Sequence, residues 1–222
     1  MRKVPFVEKE FYHVYNRGVD KRSIFSNKND LGRFFQSMAE FNTIEPIGSI
    51  YQKSFKKVSG VTKPLVEFVA YCLNPNHFHF ILTQVEERGI EKFMHRLGTG
   101  YTRYFNDRHL RSGSLFQGRF KSNYINSNEY LLHASVYVNL NYKAHRLNPQ
   151  KHLFVSSWNE YLNSNQSGIC KKEIILGQFK NISQYQKFAE SSIESILERK
   201  EMLAELENEH LEVQPLSKGG RL

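Results

Sequence analysis

The sequence lacks the features that would place this protein in a membrane or in an oxidising compartment. It has only two cysteines, Cys72 and Cys170, which lie far apart and outside any CxxC pair, so a disulfide framework is not expected. No apolar run approaches the roughly 20 residues that span a bilayer. The first residues show no apolar segment with a cleavage-site pattern. These absences predict a reduced, cytoplasmic protein.

Composition and charge narrow the class of protein further. Hydrophobic residues make up 40% and aromatic residues 14% of the 222 residues, which is enough for a buried core and excludes wholesale disorder. The net charge is +9. The part after residue 148 holds 9 of the 31 Lys+Arg and 10 of the 22 Asp+Glu, so the first 148 residues carry a net charge of +10. Such a basic segment favours a polyanionic partner, most often nucleic acid.

Apolar periodicity predicts the order β-α-β-β-α-β-α over the first 148 residues. The predicted strands cover 10–17, 65–73, 77–84 and a short stretch before 124, and the predicted helices cover 29–42, 89–107 and 126–143. Asn29 or Asp30 is the expected N-cap of the first helix, and Asn126 with Glu129 resembles a capping box. We predict an α+β fold, a ferredoxin-like antiparallel sheet covered by helices.

The chain changes character near residue 149, and we predict two parts. Residues 1–148 are expected to form the main domain, and residues 149–222 a helical C-terminal extension that ends in a disordered tail. A helical turn in SSWNEYL, a short helix within 170–179 and one or two helices in 183–213 make up this extension. The polar stretch 46–64 is interpreted as a loop, with some hairpin character.

Three groups of residues could carry chemistry. His77 and His79 project to one side of the third predicted strand; two imidazoles can hold a divalent metal, but only weakly without a third ligand. Two surface histidines are the alternative.

Tyr137 and Asn141 share a helical face with His133, while Leu131, Ser135 and Val138 mark a more buried face. A phenol beside an amide oxygen could attack while the amide binds metal, although helix tyrosines usually serve packing.

A basic and aromatic segment at 101–124 forms the third group. Arginine and lysine neutralise phosphates and flat rings stack on unpaired bases, so the composition suits single-stranded nucleic acid. Half of the aromatics could equally be core residues of a helix. The basic residues are Arg103, Arg108, Arg111, Arg119 and Lys121.

Four stretches together resemble a known family, the REP-associated tyrosine transposases. These enzymes are the one-tyrosine branch of the HUH (His-hydrophobe-His) single-stranded DNA endonucleases. The stretches are FYHVYNRG at 11–18, LNPNHFHFIL at 73–82, YTRYFNDRH with GSLFQGRFKS at 101–122, and EYLLHASVYVNLN at 129–141. The resemblance spans about residues 10–146 and only loosely includes the C-terminal third.

The resemblance implies a role for each matching residue. It makes His77 and His79 metal ligands, Asn141 the third ligand and Tyr137 the nucleophile, with Mg²⁺ or Mn²⁺ as the metal. His13 and Arg17 also match the family pattern, and Arg17 joins the five basic residues above as a DNA-contacting candidate. A proline commonly follows the asparagine in this family, whereas Tyr142 follows it here, which leaves the end of the helix open.

The implied function is a metal-dependent single-stranded DNA endonuclease and strand transferase. It would recognise hairpin-forming repeats and cleave through a 5′-phosphotyrosine intermediate, as a monomer or homodimer without membrane contact. One alternative is a catalytically inactive protein that binds DNA hairpins. Another is a hydrolytic metalloenzyme acting on a small molecule or RNA, which explains neither the basic segment nor the tyrosine.

Overall fold

The computed structural model describes residues 5–51, 63–163 and 168–211. Its described strands form one antiparallel sheet in the order β4-β1-β3-β2-β5. They are β1 Phe11–Arg17, β2 Val66–Asn74, β3 His77–Gln84, β4 Lys121–Ile125 and β5 Val155–Ser156. The helices are α1 Lys28–Glu40, α2 Gly89–Arg108, α3 Asn128–Asn139, α4 Asn141–Ala144, α5 Trp158–Leu162, α6 Glu173–Leu176 and α7 Ile182–Leu211, with a 3₁₀ turn at Val19–Lys21. The predicted α+β class is confirmed.

The centre of the sheet is the predicted hairpin of β2 and β3. Asn74 pairs with His77 and Leu73 with Phe78, so the Asn-Pro-Asn corner needs only two residues between the strands. β3 has the predicted bounds, because its residues alternate between polar and apolar from His77 to Phe80 and continue with β-branched and apolar residues. β1 pairs antiparallel with β3 and places Arg17 opposite His77.

One side of the sheet, which we call the apolar face, is the main hydrophobic core. Val14, Phe78, Phe80 and Leu82 project here and pack against α1 and α2. α1 begins one residue earlier than predicted, because Asn27 is its N-cap and accepts a hydrogen bond from Asp30 N at 3.0 Å. The predicted caps Asn29 and Asp30 were wrong, since both lie inside the helix.

The other side, which we call the histidine face, combines polar and apolar residues. Antiparallel register places the following side chains on it: His13, Tyr15 and Arg17 of β1, Cys72 and Asn74 of β2, His77, His79 and Ile81 of β3, and Lys121 and Asn123 of β4. α3 packs across β2 and β3 on this side, and α7 packs on α3. The uncovered strip lies over β1 and β4, where Arg17 and Lys121 are exposed.

Residues after 149 join the same sheet and cover the histidine face. β5, which the sequence did not indicate, pairs Val155 with Leu73, and the Tyr161 hydroxyl donates to Val69 O at 2.8 Å. Tyr161, Tyr185 and Ile193 are buried in one cluster with α3. The division near residue 148 stays a prediction. The predicted tail, and the hairpin character assigned to 46–64 where it concerns 52–62, lie outside the described residues.

Within these residues no helix is both long enough and apolar enough to cross a bilayer.

Candidate active site

His79 lies at the centre of a polar cluster on the histidine face. Its side chain is buried, and its Nδ1 is 2.8 Å from His13 Nε2. Burial lowers the pKa of His13 from 6.5 to about 4, because an imidazolium loses its hydration there. A neutral His13 can accept the Nδ1 proton of His79 at its Nε2, and this arrangement leaves the lone pair of His79 on its own Nε2.

His77 is flanked by asparagines on both ring nitrogens. Its Nδ1 is 2.6 Å from Asn76 Oδ1, and because a carbonyl oxygen can only accept, this nitrogen carries the proton and the lone pair is on Nε2. His77 Nε2 is 3.2 Å from Asn141 Oδ1 and 2.8 Å from Asn74 Nδ2. Two electron-pair donors, one from β3 and one from α4, therefore point into one small volume.

Tyr137 lies directly above the histidines because α3 packs on β2 and β3. Its ring meets that of His79 at a centroid distance of 5.7 Å and that of His13 at 6.0 Å, both nearly perpendicular. The side chain is half-buried. α3 starts one residue later than predicted: Ser127, not Asn126, is its N-cap, and Ser127 Oγ accepts from Tyr130 N at 3.1 Å.

The helix that carries Tyr137 is interrupted before Asn141. α3 ends at Asn139, Leu140 leaves the helical region with φ −108° and ψ 18°, and Asn141 begins α4. The prediction of one continuous helix to Lys143 was therefore wrong, although Asn141 still reaches the histidines. His133 does not belong to the cluster, since it is exposed and its ring lies 5.2 Å from that of Phe188. The predicted buried face is confirmed for Leu131, Ser135 and Val138.

These donors fit a divalent cation. Neighbouring ligands of an octahedral cation with bonds of ~2.1 Å lie about 3 Å apart, and His77 Nε2 and Asn141 Oδ1 are separated by 3.2 Å. No group of three or more His, Cys, Asp or Glu that could hold a metal occurs in the described part of the chain, so a site here needs the amide oxygen of Asn141. That side chain is fully buried, and its Nδ2 has no hydrogen-bond partner in the described structure. The hydrogen bonds described for the Asn141 side chain are therefore all made by its Oδ1.

The six candidate DNA-contacting residues divide between the two sides of the sheet. Arg17 and Lys121 lie on the histidine face, Arg17 on β1 beside β3 and Lys121 on β4 at the edge of the sheet. Arg103 and Arg108 are exposed on α2, which covers the apolar face. Arg119 and Arg103 line a groove of about 900 Å³ between α2 and the segment before β4. A strand of DNA contacting all of them would have to pass around the β4 edge of the sheet.

Two of the basic residues also hold the loops around the site. Arg111 donates to Asn106 Oδ1 at 2.7 Å and to Ser114 O at 3.4 Å, which anchors the turn after α2. The Arg17 Nε donates to Gln117 Oε1, and Gln117 N donates back to Arg17 O at 2.8 Å. Arg111 therefore has a structural contact that the sequence did not indicate.

One known family matches the stretch of chain that contains every residue of this cluster. The model of the family described as "Transposase IS200 like" matches residues 11–141, from the start of β1 to the proposed third ligand. The chain belongs to the IS200-like transposase family. No individual curated protein matches the chain.

A solved structure shares the fold of this IS200-like transposase. It is a REP-associated tyrosine transposase bound to a REP hairpin, with a TM-score of 0.54 and 12% sequence identity over 76% of this chain and 88% of the other. At 12% identity, this similarity shows a shared fold only. The helix break at Leu140 occurs without the proline common in the family: Tyr142 takes that position, and its ring stacks on Phe154 at 4.5 Å.

Some residues of the cluster could not be recognised as such in the sequence. Asn74 ends β2 and reaches the site only because it pairs with His77. Tyr15 stacks on His13 at 5.0 Å and on His79 at 5.6 Å. The one available signal was strand parity: Tyr15 is two residues from His13, so both project to the same face.

Proposed function

We propose that this IS200-like transposase is a metal-dependent single-stranded DNA endonuclease and strand transferase of the REP-associated type. In this proposal it recognises a DNA hairpin, and Tyr137 is the nucleophile. The observation that carries the proposal is the position of the Tyr137 ring, 5.7 Å from the His79 ring, in a cluster where His77 Nε2 and Asn141 Oδ1 are 3.2 Å apart.

His77, His79 and Asn141 would hold the cation, Mg²⁺ or Mn²⁺. A bound cation supplies Lewis-acid polarisation of the scissile phosphate and offsets the negative charge that develops in the transition state. A phenol that keeps its proton is a weak nucleophile, so attack by Tyr137 needs such help. His13 keeps the His79 ring in one orientation, and the asparagines do the same for His77.

The reaction balances without a high-energy cofactor. The Tyr137 oxygen forms a bond to phosphorus and releases its proton, the bond from phosphorus to the 3′-oxygen breaks, and that oxygen takes up a proton to become a hydroxyl. The product is a 5′-phosphotyrosine. Because one phosphodiester replaces another, a second 3′-hydroxyl can reverse the step and join strands.

The exposed strip of the histidine face suits the DNA that flanks the scissile phosphate. Arg17 provides positive charge on β1 next to β3, and Lys121 provides it on the edge strand β4. Tyr15 of β1 provides an aromatic ring that stacks on His79. This combination favours an unpaired strand, whose phosphates are neutralised while its bases stack.

A denaturing gel tests the proposal. The protein is incubated with a hairpin-flanked single-stranded oligonucleotide and Mn²⁺, and we expect a covalent band of higher mass that is lost in Tyr137→Phe. A shift seen only on a native gel would support the alternative, a hairpin-binding protein without catalysis. Cleavage that persists in Tyr137→Phe would support a hydrolase and contradict the assigned nucleophile.

A further inference from the structure

Asn74 is the most completely enclosed polar side chain beside the proposed metal ligands. It is fully buried at the end of β2, where it pairs with His77. Its Nδ2 donates to Asn141 Oδ1 at 2.7 Å and lies 2.8 Å from His77 Nε2. The two hydrogens of one amide group are therefore directed at two of the three atoms that would bind the cation.

A second set of contacts fixes the orientation of this amide. The Cys72 thiol donates to Asn74 Oδ1 at a sulfur–oxygen distance of 3.4 Å. Burial raises the pKa of the Cys72 thiol to about 12, so it remains a donor, and the backbone N–H of Tyr142 donates in turn to its sulfur. A proline at 142 would have no such N–H. The contact thus depends on the residue at which this chain departs from the family pattern.

We propose that Asn74 is a positioning residue that orients Asn141 and His77, and that its N–H groups occupy lone pairs that the cation would take. This inference rests on the metal site proposed above.

The two hydrogen bonds of Asn74 must respond differently to a metal. His77 Nε2 has a single lone pair, so binding of a cation there breaks its hydrogen bond to Asn74. Asn141 Oδ1 has two lone pairs, so it can bind a cation and still accept from Asn74. When a cation binds, Asn74 therefore loses its hydrogen bond to His77 and keeps its hydrogen bond to Asn141.

Side-chain amide NMR in the full-length protein tests this directly. Mg²⁺ is diamagnetic, and ¹⁵N-asparagine labelling makes the two Asn74 amide protons visible without any substitution. On titration with Mg²⁺ we expect one proton to move towards the chemical shift of a solvated amide while the other remains hydrogen-bonded. Two protons that stay unchanged at saturating Mg²⁺ would overturn the inference.

Mn²⁺ affinity, measured by calorimetry without DNA, gives the second readout. We expect Asn74→Leu to weaken binding by about tenfold, as loss of an outer contact to a ligand typically does. Asn74→Asp keeps the shape but presents carboxylate oxygens to the cation, so we expect it to tighten binding by at least tenfold. Asn42→Leu is the matched control: Asn42 contacts the backbone at the opposite end of β2, donating to Val66 O and accepting from Leu65 N and Val66 N.

The outcomes separate this inference from the function on which it rests. The expected result is opposite changes in the two Asn74 variants and unchanged affinity in Asn42→Leu. If the unmodified protein binds Mn²⁺ and neither Asn74 variant differs from it, the role of Asn74 is wrong and the metal site stands. If the unmodified protein binds no Mn²⁺ or Mg²⁺, the inference falls together with the proposed metal site.

Discussion

The two faces of the sheet are built from the same strands, yet they differ in what their side chains can do. On the apolar face Phe78 and Phe80 stack at 4.7 Å and are buried with α1 and α2. On the histidine face the alternate residues His77 and His79 contact asparagine and histidine side chains. Since neighbouring residues of a strand project to opposite sides, the eight residues of β3 serve the core and the site at once.

The difference lies in the strand residues: those of the apolar face serve stability, whereas the polar residues of the histidine face are organised for chemistry. Aromatic burial on the apolar face contributes directly to stability. On the histidine face, buried polar groups gain little beyond the cost of their own desolvation, and Asn141 Nδ2 has no hydrogen-bond partner in the described structure. Substitutions on the two faces should therefore separate stability from activity, and the following predictions use that separation.

The largest effect is expected from His77→Ala. Loss of a metal ligand should reduce single-turnover cleavage with Mn²⁺ by roughly 10³-fold, in line with the several kcal/mol that a bound cation contributes. Hairpin affinity, measured by fluorescence anisotropy, should change less than about threefold, because non-specific phosphate contacts dominate binding. His133→Ala, an exposed histidine on α3 that lies outside the cluster, is the control and should leave both unchanged. Equal loss of cleavage and affinity in His77→Ala would contradict a metal role.

A smaller effect is expected from His13. His13→Leu removes the acceptor for His79 Nδ1, which should lower the cleavage rate by about 10- to 100-fold. His13→Gln keeps an acceptor oxygen in the same place and should recover most of the rate. The measurement is single-turnover cleavage over a range of Mn²⁺ concentrations. Equal rates for the two variants would mean that His13 does not orient His79.

The sequence predicted the strands of the site better than it predicted the helices. His77 to Phe80 alternates between polar and apolar residues, so the common side of both histidines followed from period two alone. At the start of α3 Asn126 and Ser127 can both act as N-cap, and only the packed structure selects Ser127. The sequence has no glycine or proline near Leu140 that would indicate the break between α3 and α4.

The other features that the sequence did not predict are contacts between residues far apart in the chain. β5 has two residues and pairs with β2 across some 80 positions of the chain, which no local pattern can indicate. The same holds for the contact of Asn74 with Asn141, since it needs the β2–β3 hairpin and α4 together. Tyr137 and the histidine pair could be named from the family resemblance, but their proximity is a property of the fold.

An effect of about tenfold on DNA affinity is expected when the basic residues of one face are removed. Arg17→Ala with Lys121→Ala should reduce affinity and lower the slope of log K against log[salt] by about 1.4, since each single-strand phosphate contact contributes roughly 0.7. Cleavage at saturating DNA should also fall, because Arg17 pairs with His77 and Lys121 pairs with Tyr15 on the histidine face. Arg103→Ala with Arg108→Ala should lower affinity and leave the saturated rate unchanged.

Anisotropy titrations at several salt concentrations measure these slopes. Cleavage at saturating DNA could fall in the Arg103→Ala, Arg108→Ala variant and stay unchanged in the Arg17→Ala, Lys121→Ala variant. That result would mean that the two faces have the opposite roles.

The smallest effect concerns Tyr101 on the apolar side. Its hydroxyl donates to Ile24 O at 2.6 Å, so Tyr101→Phe should lower the free energy of unfolding by about 1 kcal/mol at pH 7 without changing cleavage. Burial holds the pKa of Tyr101 far above 10, so only the unfolded chain releases this proton at moderately alkaline pH, and the native protein loses stability as pH rises.

The stability advantage of the unmodified protein over Tyr101→Phe should therefore fall by about 1.4 kcal/mol for each pH unit above 10, and so change sign near pH 11. Urea unfolding at pH 7 and above pH 10 measures it. A constant difference across that range would contradict a buried neutral phenol.

A covalent link between Tyr137 and DNA can be detected by tandem mass spectrometry of the adduct formed with a hairpin-flanked oligonucleotide and Mn²⁺, after protease and nuclease digestion. We expect a peptide from α3 that carries a 5′-nucleotide on Tyr137. A nucleotide on a different residue, or cleaved DNA with no modified peptide, would contradict it.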